Sequence, residues 1–341
     1  MVKTAARFAS LFLLFFLIAC GLGYPILNRY DPRQTPGLSD VKTYAEMVSG
    51  TAGADAGHVR FRVMLPWVAK AIYRIADGQT RTWDPVLLSL LVADSIFVAA
   101  TAVLIVLLAV DCLGNPAAGL LAAFIYLVNF AVPNLRLAGL VDAGEGLFLL
   151  ALLWSLAEDR FWLLPLIAIL GTLAKESFIP FSIVFGAVWW LVVRREETAS
   201  GQSSPDRMRM GVWLAINWAA SLVAFAGLHR AIEGKFTNPL EFGLGLHRHG
   251  SLAGGYLAHF ARSLADHQLW YIFLWLLPTA IPNLKKFPRA WLAATGAACA
   301  VAFGLDVFYG GAQGTIARAL FTIAGPMLSL SSAMLLLGFC D

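Results

Sequence analysis

Charged residues are scarce in this chain, and their scarcity excludes an ordinary soluble protein. Only 13% of the 341 residues are charged, whereas 59% are hydrophobic. A soluble domain carries roughly 25% charged residues, so this composition and its repeated apolar runs predict a polytopic helical membrane protein. The formal net charge of +4 does not indicate nucleic-acid binding, because Lys and Arg collect on the cytoplasmic side of membrane helices.

Cysteine is also rare, and its pattern excludes two kinds of stabilising site. The four cysteines lie within or beside apolar runs, without a Cys-x-x-Cys pair or a regular Cys/His spacing. The sequence therefore indicates neither a disulfide framework nor a zinc site. The eleven Trp and eight Tyr residues instead suit the aromatic belts that form at membrane interfaces.

Ten apolar stretches are candidate transmembrane helices. The first, residues 8–26, follows Lys3 and Arg7 and can be read as a signal peptide with a lipoprotein-like box at Cys20, or as a span. It stays apolar beyond Cys20 over roughly 19 residues, which favours the span. The others are 85–110, 117–131, 143–156, 161–174, 178–193, 211–231, 269–281, 290–308 and 320–339. We therefore predict an all-α bundle of about ten transmembrane helices, a single membrane domain over residues 1–341, with both termini inside.

Basic residues in the short connections orient this predicted bundle. Lys and Arg are enriched in cytoplasmic loops, so the connections that carry them are assigned to the inside. These residues are Arg160, Arg194, Arg195, Arg207, Arg209, Lys285, Lys286 and Arg289. The remaining connections then face the periplasm or cell exterior, which predicts a multi-pass protein of the cell inner membrane.

The first outer loop, residues 27–84, breaks this pattern because it is itself rich in charge. Its polar and charged residues include Asp40, Tyr44, Glu46, His58, Arg60, Arg62, Lys70 and Arg74. Ser39 and Asp40 are typical capping residues and predict a short helix from Val41. Apolar residues spaced by three and four after His58 predict an amphipathic helix that lays basic residues along the outer interface. Alternatively, this segment is a surface connector that meets anionic lipid headgroups.

Three further groups of ionisable residues fall at helix ends on the same predicted side. They are Arg136, Asp142 and Glu145; Lys175 and Glu176; and Asp306 and Arg318. Charge near lipid is costly and usually faces a cavity or a partner. Together with the first loop, these groups predict a polar cavity that opens on the outer face.

Each of these groups also has a simpler explanation. Asp142 and Glu145 could only cap their helix, where carboxylates favour the helix dipole. Lys175 could pair with Glu176, with a nearby aspartate or with a phosphate. Arg318 could only anchor the last helix. The sequence leaves these alternatives open.

Two other polar features have more than one interpretation. Asp94, inside the second span, is either a cavity residue or an interhelical hydrogen-bond partner. His247, Arg248 and His249 lie in the outer loop 233–267. They form a weak metal-binding pattern because a third ligand at fixed spacing is missing, and they suit either a solvated loop or recognition of an anionic head group.

Short motifs on the predicted outer side carry a family resemblance. The motifs are Asp40 with Tyr44, R-V-M-L-P-W at 62–67, and Lys175-Glu176. In combination they resemble integral-membrane glycosyltransferases of the GT-C superfamily, most closely the bacterial branch that depends on polyprenyl-phosphate sugars. The resemblance covers residues 1–193, which would form the more constant helical module. Residues 211–341 carry no such motif and would be the variable C-terminal helices.

The resemblance implies transfer of a sugar from a polyprenyl-phosphate donor to a hydroxyl of a glycan or lipid acceptor outside the membrane. It implies that Asp40 is the general base. The cations implied to bind the donor phosphate are Arg60, Arg62, Lys175 and Arg318. The residues that would contact acceptor or sugar are Tyr44, Asp142, Glu145, Glu176, His247, Arg248 and His249. Val41, and not a second acid, follows Asp40, so no cofactor is implied as necessary, and a divalent cation (Mg or Mn) is an option.

Two other functions remain open from the sequence. An O-antigen polymerase or ligase-like enzyme would be centred on residues 247–249. A transporter or flippase for lipid-linked sugars would be expected to show inverted repeats with broken helices. No convincing repeat relates the two halves, and charge gathers at one face of the membrane, which favours surface chemistry over transport.

Overall fold

The computed structural model is all-helical in the residues that it describes. These are residues 2–29, 39–52, 54–80, 82–200, 205–238, 255–309 and 314–339. The α-helices are α1 (Val2–Arg29), α2 (Ser39–Ser49), α3 (Met64–Ala76), α4 (Pro85–Leu113), α5 (Pro116–Val128), α6 (Asp142–Ala157), α7 (Leu164–Ala174), α8 (Phe178–Ser200), α9 (Pro205–Glu233), α10 (Gly255–Leu264), α11 (His267–Ala280), α12 (Arg289–Tyr309) and α13 (Thr315–Leu337). Shorter helical segments are Ala54–Phe61, Phe161–Leu163 and Ile281–Lys286, which are 3₁₀, and Val132–Arg136, which is π-helical.

Six of the described helices are long and apolar enough to cross a bilayer, namely α1, α4, α8, α9, α12 and α13. They indicate a multi-pass helical membrane protein, as the composition predicts. The other four predicted spans form the shorter helices α5, α6, α7 and α11, of 13, 16, 11 and 14 residues. A crossing needs about 20 apolar residues, so the described part of the chain has six helices of spanning length where the sequence predicts ten spans.

Helices α4 and α13 form the centre of the bundle. Helix α4 packs against α1, α3, α5 and α6, and α13 packs against α5, α6, α11 and α12. Both are buried along much of their length, whereas α1 exposes Leu13 and Leu17. A Cβ added to Gly119 of α5 would lie 2.8 Å from the Cβ of Ala109 on α4. Glycine therefore permits this close approach, which is the kind of packing that stabilises helix pairs in membranes.

The first loop contains two helices whose positions follow the sequence pattern. Helix α2 begins at Ser39, one of the predicted capping residues, and buries Tyr44 and Val48 completely. Helix α3 packs on α4 and buries Leu65, but its last large apolar residue, Ile75, is 77% exposed. The predicted apolar stripe is thus buried in the first part of α3 and exposed at its end.

One set of helix ends converges, namely the starts of α6, α8 and α13 and the end of α7, whose polar side chains contact one another. Near the opposite ends, Trp154 of α6 donates a hydrogen bond to Asp111 of α4 at 3.2 Å. The described basic residues that the sequence assigns to the inside flank this second set of ends. They are Arg160 before α7, Arg194 and Arg195 in α8, Arg209 in α9, and Lys285, Lys286 and Arg289 around the start of α12. In α6, α7 and α8, the converging polar contacts lie at one end of the helix. The basic residues that the sequence assigns to the inside lie at or beside the other end.

Candidate functional site

Arg62 is the centre of the polar contacts made by the first loop. It stands in the joint between the 3₁₀ segment Ala54–Phe61 and α3, and it is only 9% exposed. Its Nε lies 3.1 and 2.9 Å from the two carboxylate oxygens of Glu176, and its Nη2 lies 2.5 Å from Oε1. Contacts that engage both partners at two points are strong and directional, so Glu176 fixes the plane of the guanidinium group.

The third nitrogen of Arg62 connects the same group to α2. Its Nη1 donates to Oδ2 of Asp40 and to the hydroxyl of Tyr44, both at 3.2 Å. Asp40 and Tyr44 are four residues apart and therefore project from one face of the helix. A single arginine thus ties α2 to the junction between α7 and α8.

Lys175, the residue that ends α7, forms a second set of contacts with α6. Its Nζ donates to Oδ1 of Asp142 at 2.7 Å and lies 3.1 Å from Oε2 of Glu145. The hydroxyl of Ser177 donates to Oε1 of Glu145 at 2.5 Å. Nη1 of Arg318, in the first turn of α13, donates to Oδ2 of Asp142 at 3.3 Å. Lys175 therefore pairs with an aspartate on another helix, one of its predicted alternatives.

The position of Asp142 and Glu145 follows from the start of α6. Both lie in its first turn, three residues apart, so they share one face. Carboxylates are favourable there because the helix dipole is positive at its N-terminus. Neither carboxylate caps the helix, because Val141 is its N-cap and no side chain accepts a capping hydrogen bond there. The two carboxylates instead contact partners on other segments from a position that the helix dipole favours.

We call these residues the charged cluster: Asp40, Tyr44, Arg62, Asp142, Glu145, Lys175, Glu176 and Arg318. It contains three cations and four carboxylates, each in an ion pair with another member. When all are ionised, one formal negative charge remains. The neighbouring residues Lys175 and Glu176 join the half around Arg62 to the half around Asp142.

The ion pairs shift the pKa values of the cluster side chains in a consistent way. Burial works against ionisation of Glu176, but the Arg62 guanidinium outweighs it and lowers the pKa of Glu176 to about 2. Burial likewise opposes the charge on Lys175, but Asp142 and Glu145 outweigh it and raise the pKa of the ammonium group. Burial raises the pKa of the Tyr44 phenol, with the nearby Arg62 charge acting in the opposite direction. At neutral pH Glu176 and Lys175 are therefore charged and Tyr44 carries its proton.

The members of the charged cluster differ in how much of each side chain is exposed. Asp142 and Glu145 are 3% and 1% exposed, and Arg62 is 11% exposed. Asp40 and Arg318, by contrast, are 30% and 21% exposed. The Asp40 carboxylate and the Arg318 guanidinium are thus the groups of the charged cluster that are most accessible to a ligand.

One predicted donor-phosphate residue does not join the charged cluster. Arg60 forms an ion pair with Glu233 at the end of α9. His247, Arg248 and His249 lie outside the described residues. Every other residue with a predicted role in catalysis or binding is a member of the cluster. Arg136 and Asp306, which are expected only to face the polar cavity, lie outside it: Arg136 donates to Tyr126 and Thr322, and Asp306 accepts from Ser263.

Sequence reasoning missed several polar partners. Ser177 follows Lys175-Glu176 directly, and this adjacency was a usable signal. Glu233 gave no local signal, because its partner Arg60 is 173 residues away in the chain. His58, in the first loop, lies within electrostatic range of Arg62, and burial together with that charge lowers the pKa of its imidazole.

The described residues contain no group of three or more His, Cys, Asp or Glu side chains arranged to hold a metal ion. Comparison with known proteins was likewise negative. No protein-family model matches the chain, and no curated protein matches it significantly.

Proposed function

We propose that the protein is a membrane glycosyltransferase of the GT-C type. It would move a sugar from a polyprenyl-phosphate donor to a hydroxyl of a glycan or lipid acceptor. The observation that carries the proposal is the contact of Arg62 with Asp40 on one side and, through the adjacent pair Glu176 and Lys175, with Asp142 on the other. These residues are far apart in the sequence, and the mechanism requires an acid and several cations in one place.

In the proposed reaction, Asp40 accepts the proton of the acceptor hydroxyl. The hydroxyl oxygen forms a bond to the anomeric carbon of the sugar while the bond from that carbon to the phosphate oxygen breaks. Polyprenyl phosphate leaves with the bonding electron pair. A carboxylate that is partly exposed and held by an arginine suits the first role, because it is accessible to a hydroxyl and kept in one orientation.

Arg318 is the cation best suited to meet the leaving phosphate. It is more exposed than Arg62, and its ion pair with Asp142 is long at 3.3 Å. Lys175 lies on the other oxygen of Asp142 and adds positive charge behind it. Cations held in place before the reaction stabilise developing negative charge without reorganising. Because the cluster already contains four carboxylates, the phosphate would compete with Asp142 for Arg318.

We further propose ten spans, with the charged cluster on the extracytoplasmic face of the inner membrane. The short helices α5, α6, α7 and α11 would complete the crossing with the irregular segments that flank them, since non-helical backbone is tolerated when it is buried in protein. The basic residues at the opposite helix ends support this orientation. Labelling in intact cells tests it: a Lys42→Cys side chain should react with a membrane-impermeant thiol reagent, whereas Glu196→Cys should not.

The test of function uses purified protein in lipid nanodiscs with a series of polyprenyl-phosphate sugars and candidate acceptors. The proposal predicts release of polyprenyl phosphate with at least one donor, and faster release when an acceptor hydroxyl is present. No release with any donor would contradict it. Movement of the intact donor across vesicle membranes, without cleavage of the sugar–phosphate bond, would favour a transporter.

A further inference from the structure

Asp94 is a fully buried carboxylate that the proposed mechanism does not use. It lies in the interior of α4 with no exposed surface. Its Oδ2 accepts a hydrogen bond from the backbone N–H of Gly139 at 2.9 Å, whereas Oδ1 has no hydrogen-bond partner among the described residues. An acidic side chain in a membrane helix is costly, so this single bond to a turn calls for an explanation.

The turn that Asp94 holds leads directly to the charged cluster. Gly139 precedes Asp142 by three residues, and its φ of +80° belongs to a region that side chains with a Cβ rarely adopt. A Cβ built on Gly139 would be 3.4 Å from Cγ1 of Val41, the residue after Asp40. This turn therefore lies close to α2 beside Asp40, with no room to spare for a larger side chain, and leads into the start of α6.

Arg136 fixes the other end of the same connection. It is 2% exposed, and its guanidinium donates to the hydroxyls of Tyr126 at 2.5 Å and Thr322 at 3.0 Å. Thr322 is one helical turn after Arg318 in α13. Two contacts therefore hold the connection from α5 to α6. Arg136 bonds to Thr322 of α13, the helix that carries Arg318, and Gly139 bonds to Asp94 of α4.

We propose that Asp94 is a positioning residue for the charged cluster. By accepting the Gly139 amide, it fixes the turn that sets Asp142 against Lys175 and Arg318 and holds α2 beside Asp40. The expected effect of Asp94 substitutions on turnover rests on the proposed transferase function. Their expected effect on the surroundings of Lys175 does not depend on that function.

The required property is a hydrogen-bond acceptor, not a charge, and substitutions separate the two. Asp94→Asn retains an oxygen that can accept from Gly139, whereas Asp94→Leu and Asp94→Ala retain none. Ser89→Ala is the matched control, because Ser89 is equally buried in α4 and its hydroxyl donates to the carbonyl of Pro85 in its own helix. Removing a hydrogen bond that orients a metal ligand costs about 10- to 100-fold in affinity or activity, and we expect a loss of turnover of similar size here.

The first measurement is labelling of Lys175 by an amine-acylating reagent, followed by mass spectrometry of the folded protein in nanodiscs, with exposed Lys42 as internal reference. We expect slow labelling of Lys175 in the wild type, Asp94→Asn and Ser89→Ala. In Asp94→Leu and Asp94→Ala we expect labelling about tenfold faster, because loss of the Asp142 contact frees the amine. Turnover should fall in the same two variants and be preserved in Asp94→Asn.

The outcomes distinguish this inference from the proposed function. Unchanged Lys175 labelling in folded Asp94→Ala would overturn the positioning role, whatever the activity. Fast labelling in Asp94→Asn would also overturn it, because the charge and not the acceptor would then be required; this holds even if the Leu and Ala variants do not fold. If the labelling pattern is as expected but no donor is cleaved by the wild type, the positioning role stands and the transferase proposal fails.

Discussion

Arg62 and Glu176 form a two-point ion pair between segments that are 114 residues apart in the chain, with Nε and Nη2 of the arginine on the carboxylate oxygens. Both side chains are more than four-fifths buried, at 11% and 17% exposed. Burying two charges is expensive, and leaving one of them without its partner is more expensive still. The pair therefore fixes how the first loop sits on the bundle.

Replacing Glu176 by Gln should destabilise the protein by about 3 kcal/mol, because Arg62 then remains buried beside a neutral group. Glu196→Gln is the matched control, since Glu196 is an exposed glutamate in α8, and it should change stability by less than about 0.5 kcal/mol. Thermal unfolding in the same detergent measures both. Equal unfolding temperatures for the two variants would mean that the pair does not hold the loop.

Stability should also depend on acidic pH through Glu176. Arg62 lowers the pKa of Glu176 from 4.5 to about 2, so the folded protein releases this proton more readily than the unfolded chain. The stabilisation is then fully present above about pH 4.5 and is lost as the pH falls toward 2. Acid unfolding followed by tryptophan fluorescence should show this loss, and Glu176→Gln should flatten the profile in that window. A profile identical to that of the wild type would contradict the assigned pKa shift.

Arg60 and Arg62 are two residues apart, yet they should differ in their effect on turnover. Arg62 holds Asp40 and Tyr44, so Arg62→Gln should lower turnover by about 100-fold or more. Arg60 instead pairs with Glu233, outside the charged cluster, so Arg60→Gln should leave turnover close to that of the wild type. Similar losses in both variants would indicate that Arg60 binds the donor, as the family resemblance implies.

The interaction between Lys175 and Asp142 can be isolated by a double-mutant cycle with Lys175→Met and Asp142→Leu. A buried ion pair that is also hydrogen-bonded should show a coupling energy of about 1–3 kcal/mol in unfolding. The control cycle uses Arg60→Met and Glu233→Leu, whose partners are more exposed, and should give a smaller value. Additive effects in the first cycle would mean that the two residues do not act as a unit.

The sequence predicts the membrane character, most members of the charged cluster and a short helix at α2, which starts at Ser39, two residues before the predicted start at Val41. It could do so because charge is so rare in this chain that each charged residue at a helix end stands out. It does not predict which residues form ion pairs with each other. Glu176 pairs with Arg62 and not with its neighbour Lys175, because the pairing depends on how α2, α6 and α7 pack. Nor does it reveal Glu233 as the partner of Arg60, since nothing local links them.

Helix length was the other limit of sequence reasoning. Apolar runs locate the helices well, but they do not give the exact helix ends. Helix α7 ends at Ala174 and α8 starts at Phe178, so Lys175 and Glu176 separate two apolar stretches that are nearly continuous in hydropathy. The interruption places Lys175 and Glu176 where the first loop meets them. Two of the four short helices, α6 and α7, thus carry or adjoin residues of the charged cluster.

The most direct test of the account is the turnover number of Asp40→Asn with a polyprenyl-phosphate sugar donor that the wild type cleaves. Asn keeps the shape of the side chain but cannot accept the acceptor proton, so the account predicts a loss of about 100- to 10,000-fold in kcat with little change in the KM for the donor. Asp77→Asn, an exposed aspartate of the same loop, should retain wild-type turnover. Equal turnover of Asp40→Asn and the wild type would contradict the role of Asp40 as general base.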